Sequence, residues 1–291
     1  MKRNNFGISV FLIVISVFML LLFGSCKKKP NKNIGLQLYS IRDSIVQDVP
    51  SAIEKVAEMG YKFVEPAGYA DGKFYGIDPL EFRDLCAKNG LLVLSSHVNQ
   101  SLPDSSDYER VMAWWDQCID AHVEVGAKFL VQPAMEASAY ESLEGLKSWC
   151  DNFNIIGEKC NLKGIRFGYH NHNREFSTKL DSITIYDFML ENTDPDKVMF
   201  EMDLYWCVEG GSDPVEYFNK YPGRFELWHI KDDKELGGSG KMDFPAIWAA
   251  AHQSGMKYGI VEVEQYNYDE YTSCRMSLDT LNAAPYVVMP Q

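Results

Sequence analysis

Short apolar runs alternate with longer amphipathic stretches along the chain from Ile34 onward. Apolar runs of about four to eight residues that end in polar residues are typical of strands buried in a parallel sheet. Eight such runs predict eight strands, at 35–40, 63–67, 91–97, 128–132, 165–170, 198–203, 225–231 and 259–264.

The stretches between these strands repeat apolar residues at helical spacing. They predict eight helices, at 51–59, 80–89, 106–125, 140–160, 183–191, 214–220, 244–254 and 273–282. Gly126 follows one of these patterns and precedes a strand, as glycine does where helices end. Asp78-Pro79 and Asp213-Pro214 have the pattern of an N-cap followed by proline in the first turn.

The strand–helix unit repeats eight times over about 255 residues, which is the length of one closed barrel. Regular alternation of this kind gives a parallel sheet. The sequence therefore predicts an α/β fold, a (β/α)8 TIM barrel over residues 34–291. An open doubly wound sheet is the alternative, but the chain has neither Gly-x-Gly-x-x-Gly after the first strand nor a P-loop.

The N-terminal segment has the pattern of an export signal, because a basic start precedes an apolar run at 8–23. The run ends in a Gly-Ser-Cys sequence that resembles a bacterial lipobox, so residues 1–25 are the predicted signal peptide and Cys26 the predicted lipidation site. Polar residues 26–33 predict a flexible tether. We expect a lipid-anchored protein of the cell envelope that faces the periplasm; an uncleaved membrane helix is the alternative.

The chain is strongly acidic, with a formal net charge of -13. Removal of residues 1–25 takes away Lys2 and Arg3 and brings the charge to -15. Such a charge argues against nucleic acid as a partner and against binding to an anionic membrane surface. We therefore expect membrane contact only through the lipid anchor, and a small molecule as the partner.

Ionisable residues collect at the predicted C-terminal ends of strands five to eight, where barrel enzymes place their active sites. Side chains two residues apart share one face of a strand, so Glu201 lies on the face of Asp203, and Glu262 on that of Glu264. The outer face of a barrel strand packs against apolar helices. The charged faces are therefore expected to point inward.

Carboxylates buried in a barrel are costly unless they are paired or bind a metal. Here they come together with His170 and His229, at the ends of neighbouring strands. Carboxylates and imidazoles together are suitable ligands for Mn²⁺, Co²⁺, Mg²⁺ or Zn²⁺. The sequence therefore predicts a site for one divalent metal ion.

Several segments resemble the sugar phosphate isomerase/epimerase family, whose members are xylose isomerase-like TIM barrels. The resemblance covers the chain from about Ile34 to its end and identifies the superfamily better than the substrate. The segments are GLQLYSIR at 35–42, AEMGY at 57–61, YHNH at 169–172, DLYW at 203–206, YPGRF at 221–225, HIKD at 229–232 and VEQ at 263–265.

The resemblance implies which residues hold the metal. In ketose 3-epimerases of this superfamily the ligands are Glu, Asp, His and Glu, and Asp203, His229 and Glu264 match the last three. The first aligns with His170 rather than with a glutamate. His170 is expected to bind the metal as a neutral imidazole or to act as a second base.

The implied reaction removes a proton next to a sugar carbonyl that is polarised by the metal. Glu264 or His170 would take the proton, and Lys231 would stabilise the resulting enediolate. Return of the proton on the opposite face gives epimerisation, and transfer to the neighbouring carbon gives isomerisation. Loss of a leaving group at the β position, for example from a 3-keto-glycoside, would instead make the enzyme a lyase or dehydratase.

The expected substrate is a neutral sugar or glycoside, because sugar phosphates are cytoplasmic and the exported chain is acidic. Polar and aromatic residues at the strand ends are the expected contacts of that sugar: Gln37, Tyr39, His97, His172, Arg174, Glu175 and Trp206.

Two other classes compete with this interpretation. A barrel-type hydrolase related to the AP endonucleases would need a basic rim for DNA, which an acidic chain does not offer. A non-catalytic sugar-binding lipoprotein would have no need to keep Asp203, His229 and Glu264 together.

Overall fold

The computed structural model describes residues 32–104 and 106–289. The predicted signal peptide, Cys26 and the tether up to residue 31 lie outside these residues, so the lipid anchor remains a prediction from the sequence. The described residues from Lys32 onward belong to one compact unit. Within this part of the chain, no helix is long and apolar enough to cross a membrane.

The central sheet has eight parallel strands, one for each predicted apolar run, in the order β3-β2-β1-β8-β7-β6-β5-β4. The strands are β1 (Ile34–Gln37), β2 (Phe63–Glu65), β3 (Leu92–Val93), β4 (Phe129–Gln132), β5 (Arg166–His170), β6 (Val198–Asp203), β7 (Leu227–Ile230) and β8 (Tyr258–Val261). Just past the end of β3, His97 forms a parallel bridge with Val131 of β4. The backbone N–H groups of Val98 and Val131 donate to Val131 and Ser96, both at 2.9 Å. These bonds join the two outer strands and close the predicted barrel.

Helices follow the strands as predicted. The eight main helices are α1 (Val49–Met59), α2 (Pro79–Lys88), α3 (Tyr108–Val125), α4 (Leu143–Leu162), α5 (Ile185–Asn192), α6 (Pro214–Lys220), α7 (Phe244–Ala249) and α8 (Glu270–Ala283). Gly126 ends α3 with a φ of 86°, a left-handed conformation that favours glycine. Short helices lie at Arg42–Ile45, Ser138–Glu141, Arg174–Ser177, Leu204–Glu209 and Ala251–Ser254. Two small antiparallel sheets pair the two-residue strands Tyr69–Ala70 with Lys73–Phe74 and Lys179–Leu180 with Ile183–Thr184.

The first strand is shorter than predicted. It ends at Gln37, and Leu38–Ile41 forms a turn of 3₁₀ helix. The Gln37 side-chain oxygen accepts a hydrogen bond from the Tyr39 N–H at 3.0 Å, which caps that turn. This local bond competes with continued strand pairing.

The apolar core has two parts, separated by the sheet. The larger part lies between the outer face of the sheet and the helices and includes Val64, Phe200 and Trp228. The smaller part consists of Phe63, Leu94, Phe129, Val131, Met199, Leu227 and Ile260. Strand alternation puts the smaller part on the opposite face, inside the barrel, where it forms the floor of the interior.

The charged side chains share the inward face with this floor, as the alternation predicts. Met199 precedes Glu201 by two residues, Leu227 precedes His229, and Ile260 precedes Glu262, so each pair lies on one face of its strand. Each charged side chain of these pairs is almost completely buried. The barrel interior therefore has an apolar floor with an ionisable layer above it.

Two inward glycines make room for the floor. A Cβ atom at Gly35 would lie 2.1 Å from a ring carbon of Phe63, and one at Gly168 would lie 2.4 Å from the terminal methyl of Met199. Real Cβ atoms do not approach other atoms that closely. The large side chains of β2 and β6 thus fill the space that β1 and β5 leave empty.

We expect Gly35→Ala to destabilise the fold, because overpacking a filled interior costs about 1–3 kcal/mol. Urea unfolding would measure the loss. The same substitution in a Phe63→Leu background should cost less, since the smaller side chain relieves the contact at 2.1 Å. Equal losses in the two backgrounds would contradict this packing scheme.

Candidate metal centre

Strand register brings the ionisable residues together at one level of the barrel. Pairing of β5 with β6 sets His170 opposite Glu201. Pairing of β6 with β7 sets Asp203 opposite His229, and β1 pairs with β2 so that Gln37 faces Glu65. All of these positions are at the C-terminal ends of the strands. The structure thus places the ionisable layer where the sequence predicts an active site.

Four residues of this layer have the arrangement of a metal site. The ligand-type atoms of His170, Asp203, His229 and Glu262 lie within 4.8 Å of one another. Each residue also has one buried polar atom with no hydrogen-bond partner among the described residues: His170 Nδ1, Asp203 Oδ2, His229 Nδ1 and Glu262 Oε2. Buried polar atoms are rarely left unpaired in native proteins. The four side chains therefore fit a cation held between them, and we refer to them as the metal group.

Asp203 is held by its backbone and by one of its two carboxylate oxygens. The Trp206 N–H donates to Oδ1 at 2.8 Å, which makes Asp203 the N-cap of the helix Leu204–Glu209. The side chain of Asn171 bonds to the Asp203 backbone at both N–H and carbonyl, at 3.1 and 3.2 Å. These bonds fix the carboxylate, and Oδ2 remains available to a cation.

A second set of contacts lies beside the metal group. His97 Nε2 is 2.6 Å from Glu201 Oε2 and 3.2 Å from Glu65 Oε1. His229 Nε2 is 2.7 Å from the same Glu65 oxygen and 3.3 Å from Glu201 Oε2. His170 Nδ1 is also 3.3 Å from Glu201 Oε2. Two buried glutamates thus share three imidazoles.

Burial and neighbouring charges shift these groups in opposite directions. Burial favours the neutral form of Glu65, but His97 and His229 outweigh burial and hold its pKa at about 2. Burial raises the pKa of Glu201 to about 7, and the charge of Glu65 adds to the increase. Burial also raises the pKa of Asp203 to about 8, although Lys231 acts against it. A bound cation would favour the ionised form of Asp203.

The two histidines of the metal group differ in charge. Burial holds the pKa of His170 well below its usual value, and the cationic neighbours His229 and His97 add to the decrease. Its ring is therefore neutral, which is the form that binds a metal. For His229, burial acts to lower the pKa, but Glu201 and Glu262 outweigh burial and raise it well above the usual value. A metal would have to displace a proton there.

Glu264, which was predicted to be a metal ligand, lies outside the metal group. Its carboxylate lies 2.9 Å from Lys231 Nζ, with a quarter of the side chain exposed, and Glu262 occupies the fourth position of the metal group. The physical reason is the length of the strand step, because Glu264 lies two residues nearer the barrel mouth than Glu262. Lys231 is also 3.5 Å from Glu262 and so links the two glutamates.

A cavity of about 280 Å³ opens above the metal group. This volume is near the lower end of the range for small-molecule sites, roughly 300–1,000 Å³. Among the predicted sugar contacts, Tyr39, His97 and His172 line it. The described residues that line it are Tyr39, Ala67, His97, Asn99, Pro133, Ala134, His170, His172, Glu262 and Glu264.

The other predicted sugar contacts have protein partners instead. The Gln37 amide donates to Glu65 at 2.8 Å and lies beneath the cavity. Glu175 is buried and accepts hydrogen bonds from the Tyr140 and Tyr169 hydroxyls and from the His172 N–H. We therefore no longer assign Gln37 or Glu175 to the substrate.

Arg174 and Trp206 are also absent from the described cavity wall. The Arg174 guanidinium lies over the Tyr140 ring at 4.0 Å, because the short helix Arg174–Ser177 turns it away from the barrel axis. The Trp206 ring has the Lys231 ammonium 5.6 Å from its centre. This contact places Trp206 beside the ionisable layer.

The ionisable layer also contains three carboxylates for which no ligand or catalytic role was predicted, Glu65, Glu201 and Glu262. Alternation identified Glu201 and Glu262 as inward-facing, since they share the faces of Asp203 and Glu264. Glu65 ends β2 in the same way that Asp203 ends β6, and this position is the signal that points to it.

Comparisons with known proteins agree on the fold. Residues 53–283 match a family model described as xylose isomerase-like TIM barrel. The crystal structure of a sugar phosphate isomerase/epimerase from Parabacteroides distasonis has a TM-score of 0.82 and 35% identity, with 88% of this chain and 100% of that chain covered. An inosose dehydratase from Lacticaseibacillus casei is 27% identical over 255 residues, which are 74% of this chain and 81% of that protein.

A third relative was solved with a zinc atom bound. The structure of this IOLI protein has a TM-score of 0.69 at 11% identity, and the match covers 89% of this chain and all of that one. At this identity the likeness concerns the fold alone.

Removal of the charge of Glu201 should change how stability depends on pH. A carboxyl whose pKa rises from 4.5 to about 7 on folding stabilises the protein at low pH, and this contribution is lost as the pH rises through that interval. In metal-free protein, the unaltered chain should lose this contribution between pH 4.5 and about 7, whereas the Glu201→Gln variant should not. The urea midpoint of the variant, relative to that of the unaltered chain, should therefore rise over this interval. Parallel pH profiles for the two proteins would refute the assignment.

Proposed function

Because the chain belongs to the xylose isomerase-like TIM barrel family, we propose that it is a metal-dependent isomerase or epimerase acting on a neutral sugar or glycoside. It is an enzyme of the sugar-modifying kind, lyases included. The observation that carries the proposal is the convergence of four buried ligand atoms that lack hydrogen-bond partners among the described residues. These atoms lie directly below a cavity of the size of a small ligand site.

The metal group would hold one divalent ion through two nitrogens and two carboxylate oxygens. Mixed nitrogen and oxygen ligands suit Zn²⁺, Co²⁺ or Mn²⁺ and admit Mg²⁺. The zinc atom of the related IOLI protein supports an ion in a barrel of this kind. When bound, such an ion supplies Lewis-acid polarisation of a carbonyl oxygen, which makes the neighbouring C–H more acidic.

Glu264 is the group that we assign to proton transfer. It lines the cavity, and its exposed quarter gives it access to a sugar, whereas Glu262 lies deeper with the ligands. The Lys231 ammonium lies 2.9 Å from the Glu264 carboxylate, which is the proton acceptor in this assignment. Lys231 is buried and is not among the described lining residues, so its charge would act on the enediolate oxygen from beside Glu264 rather than by contact.

The lining of the cavity supports a neutral substrate. Its described residues include Glu262 and Glu264 but no lysine or arginine. A phosphate group binds best to guanidinium, ammonium or helix N-termini. An unphosphorylated sugar, held through its hydroxyl groups by His97, His172 and Asn99, is the better match.

Elimination of water or of another β leaving group is the second candidate reaction. It begins with the same proton abstraction, and inosose dehydratases are among the relatives of the chain. His170 replaces one of the two carboxylates that epimerases of the superfamily place on opposite faces of the sugar. His97, which lines the cavity next to His170, is a histidine within reach of a leaving hydroxyl group.

Two variants separate metal binding from proton transfer. Asp203→Asn should lower the metal content measured on purified protein, because an amide is a poorer ligand than a carboxylate, while the Asn oxygen still caps Trp206. Glu264→Gln should retain the metal and lose about 10²–10⁴-fold in rate, since it removes the base. The rate is measured by NMR as deuterium incorporation from heavy water next to the carbonyl of free keto-sugars and keto-glycosides.

Product analysis on the same panel distinguishes the two reactions. An epimer or isomer keeps the mass of its substrate, whereas elimination releases water or an aglycone. Asp232→Asn serves as the control, because Asp232 is a buried aspartate whose carboxylate accepts from the Gly237 N–H rather than joining the metal group. Unchanged metal content in Asp203→Asn, or a faster reaction with phosphorylated sugars, would refute the proposal.

We also propose that the enzyme is anchored by a lipid at Cys26 in the cell envelope, facing the periplasm. The support is the sequence pattern of residues 1–26. In a bacterial host, Cys26→Ser should abolish incorporation of an alkyne-tagged fatty acid and release the enzyme from the membrane fraction. Cys86→Ser is the control, because this thiol is buried in helix α2. Labelling that survives Cys26→Ser would exclude the anchor.

A further inference from the structure

The two ring nitrogens of His229 have different surroundings. Nε2 is 2.7 Å from Glu65 Oε1. Nδ1 is buried, has no hydrogen-bond partner among the described residues and lies 3.4 Å from Glu262 Oε2, on the side of the metal group. One nitrogen is therefore engaged by a carboxylate, and the other is directed at the ligand cluster.

Glu65 is itself held in place. The Gln37 amide donates to the same Oε1 at 2.8 Å, and both side chains are fully buried. Their strands set them in register, Gln37 opposite Glu65, so the contact is built into the pairing of β1 with β2. Gln37 is fixed in turn, because its oxygen accepts from the Tyr39 N–H at 3.0 Å.

This geometry determines which nitrogen of His229 carries the proton. An ionised carboxylate can only accept hydrogen bonds, so Nε2 must be the donor. A neutral ring with its proton on Nε2 has its lone pair on Nδ1. A carboxylate behind a metal-binding imidazole also orients the ring and makes it a stronger ligand.

We propose that Glu65, held by Gln37, is a positioning residue that fixes His229 as a metal ligand through Nδ1. The inference rests on the proposed metal site. It assigns a positioning role to Glu65 and Gln37, neither of which belongs to the metal group. For Gln37, this role replaces the predicted contact with a sugar.

The inference decides between two locations for the ion. A second cluster, His97, His170, Glu201 and His229, also has its ligand-type atoms within 4.8 Å of one another. In this second cluster His97 Nε2 already pairs with Glu201 Oε2 at 2.6 Å, and Nε2 is the nitrogen of His229 that faces it. Because Glu65 occupies that nitrogen, the ion is directed to the metal group, next to the cavity.

The direct test is NMR of the full-length chain with isotope-labelled histidine and an NMR-active cadmium isotope. The chain has six histidines, so the signals can be assigned by substitution. We expect scalar coupling between cadmium and Nδ1 of His229, with the proton remaining on Nε2. Coupling of cadmium to Nε2 would overturn the inference while leaving a metal enzyme in place. Failure to bind cadmium, zinc or manganese would overturn both the inference and the proposed function.

Substitution provides the second test. Glu65→Ala should weaken Zn²⁺ binding by about 10–100-fold in calorimetric titration. Glu65→Gln, which keeps an acceptor oxygen, should recover part of the loss, and its cadmium spectrum should still show coupling to Nδ1. Gln37→Ala should give a smaller loss of the same kind, in a variant that retains every carboxylate.

The matched control is Glu226→Gln. Glu226 is a buried carboxylate at the opposite end of the barrel, paired with Arg166 at 3.0 Å and Lys257 at 2.7 Å. This variant should lose stability without any change in Zn²⁺ affinity. Equal Zn²⁺ affinities for Glu65→Ala and the unaltered chain, both folded by circular dichroism, would overturn the inference.

Discussion

The cost of burying carboxylates determines how the centre of this barrel is organised. Glu65, Glu201, Asp203 and Glu262 are almost completely buried, and Glu264 lies just above them. Parallel strands leave no alternative, since every strand that ends in an inward carboxylate delivers it to the same opening. Neighbouring charges of one sign repel strongly at low dielectric. The imidazoles of His97 and His229 and the Lys231 ammonium compensate part of this charge. The unpaired atoms of the metal group mark where compensation from the protein ends.

The floor of the barrel keeps this charged layer at one height. Phe63 and Met199 fill the interior below it, and they fit because Gly35 and Gly168 have no side chains. These apolar side chains lie beneath the ionisable residues, and the cavity lies above them. The low dielectric makes each contact in the layer stronger. The pKa values of Glu65 and Glu201 shift in opposite directions because His97 and His229 outweigh burial at Glu65, whereas burial and the charge of Glu65 dominate at Glu201.

The sequence was sufficient for the fold and for part of the site. Eight apolar runs and their helical partners are local signals, and glycine stops such as Gly126 mark the ends, so the barrel followed without knowledge of contacts. Alternation also identified the inward faces correctly. It could not give height along a strand, where a step of two residues moves a side chain by about 6.6 Å. Glu262 and Glu264 are equivalent by alternation, yet only Glu262 reaches the metal group.

Contacts between residues on different strands could not be predicted from the sequence either. Gln37 and Glu65 are 28 residues apart and meet through the pairing of β1 with β2, and Glu65 is 164 residues from His229. These contacts depend on the register and curvature of the sheet rather than on any local pattern. Glu175 resembled a sugar contact because it follows a strand end closely, but the short helix that contains it turns the carboxylate back towards Tyr140 and Tyr169.

His170 stands where the ketose 3-epimerases have a glutamate, and this difference affects which groups can transfer protons at the cavity. A neutral ring contributes no negative charge to the metal group and accepts no proton once it is a ligand. Glu264 is then the carboxylate with access to the cavity that is free for proton transfer, and any second proton must pass through an imidazole. His97 is the imidazole on the cavity wall whose Nε2 is already engaged by Glu201 and Glu65. This pairing of a carboxylate with an imidazole is the reason that elimination, which uses two unlike proton transfers, stands as a second candidate beside isomerisation and epimerisation.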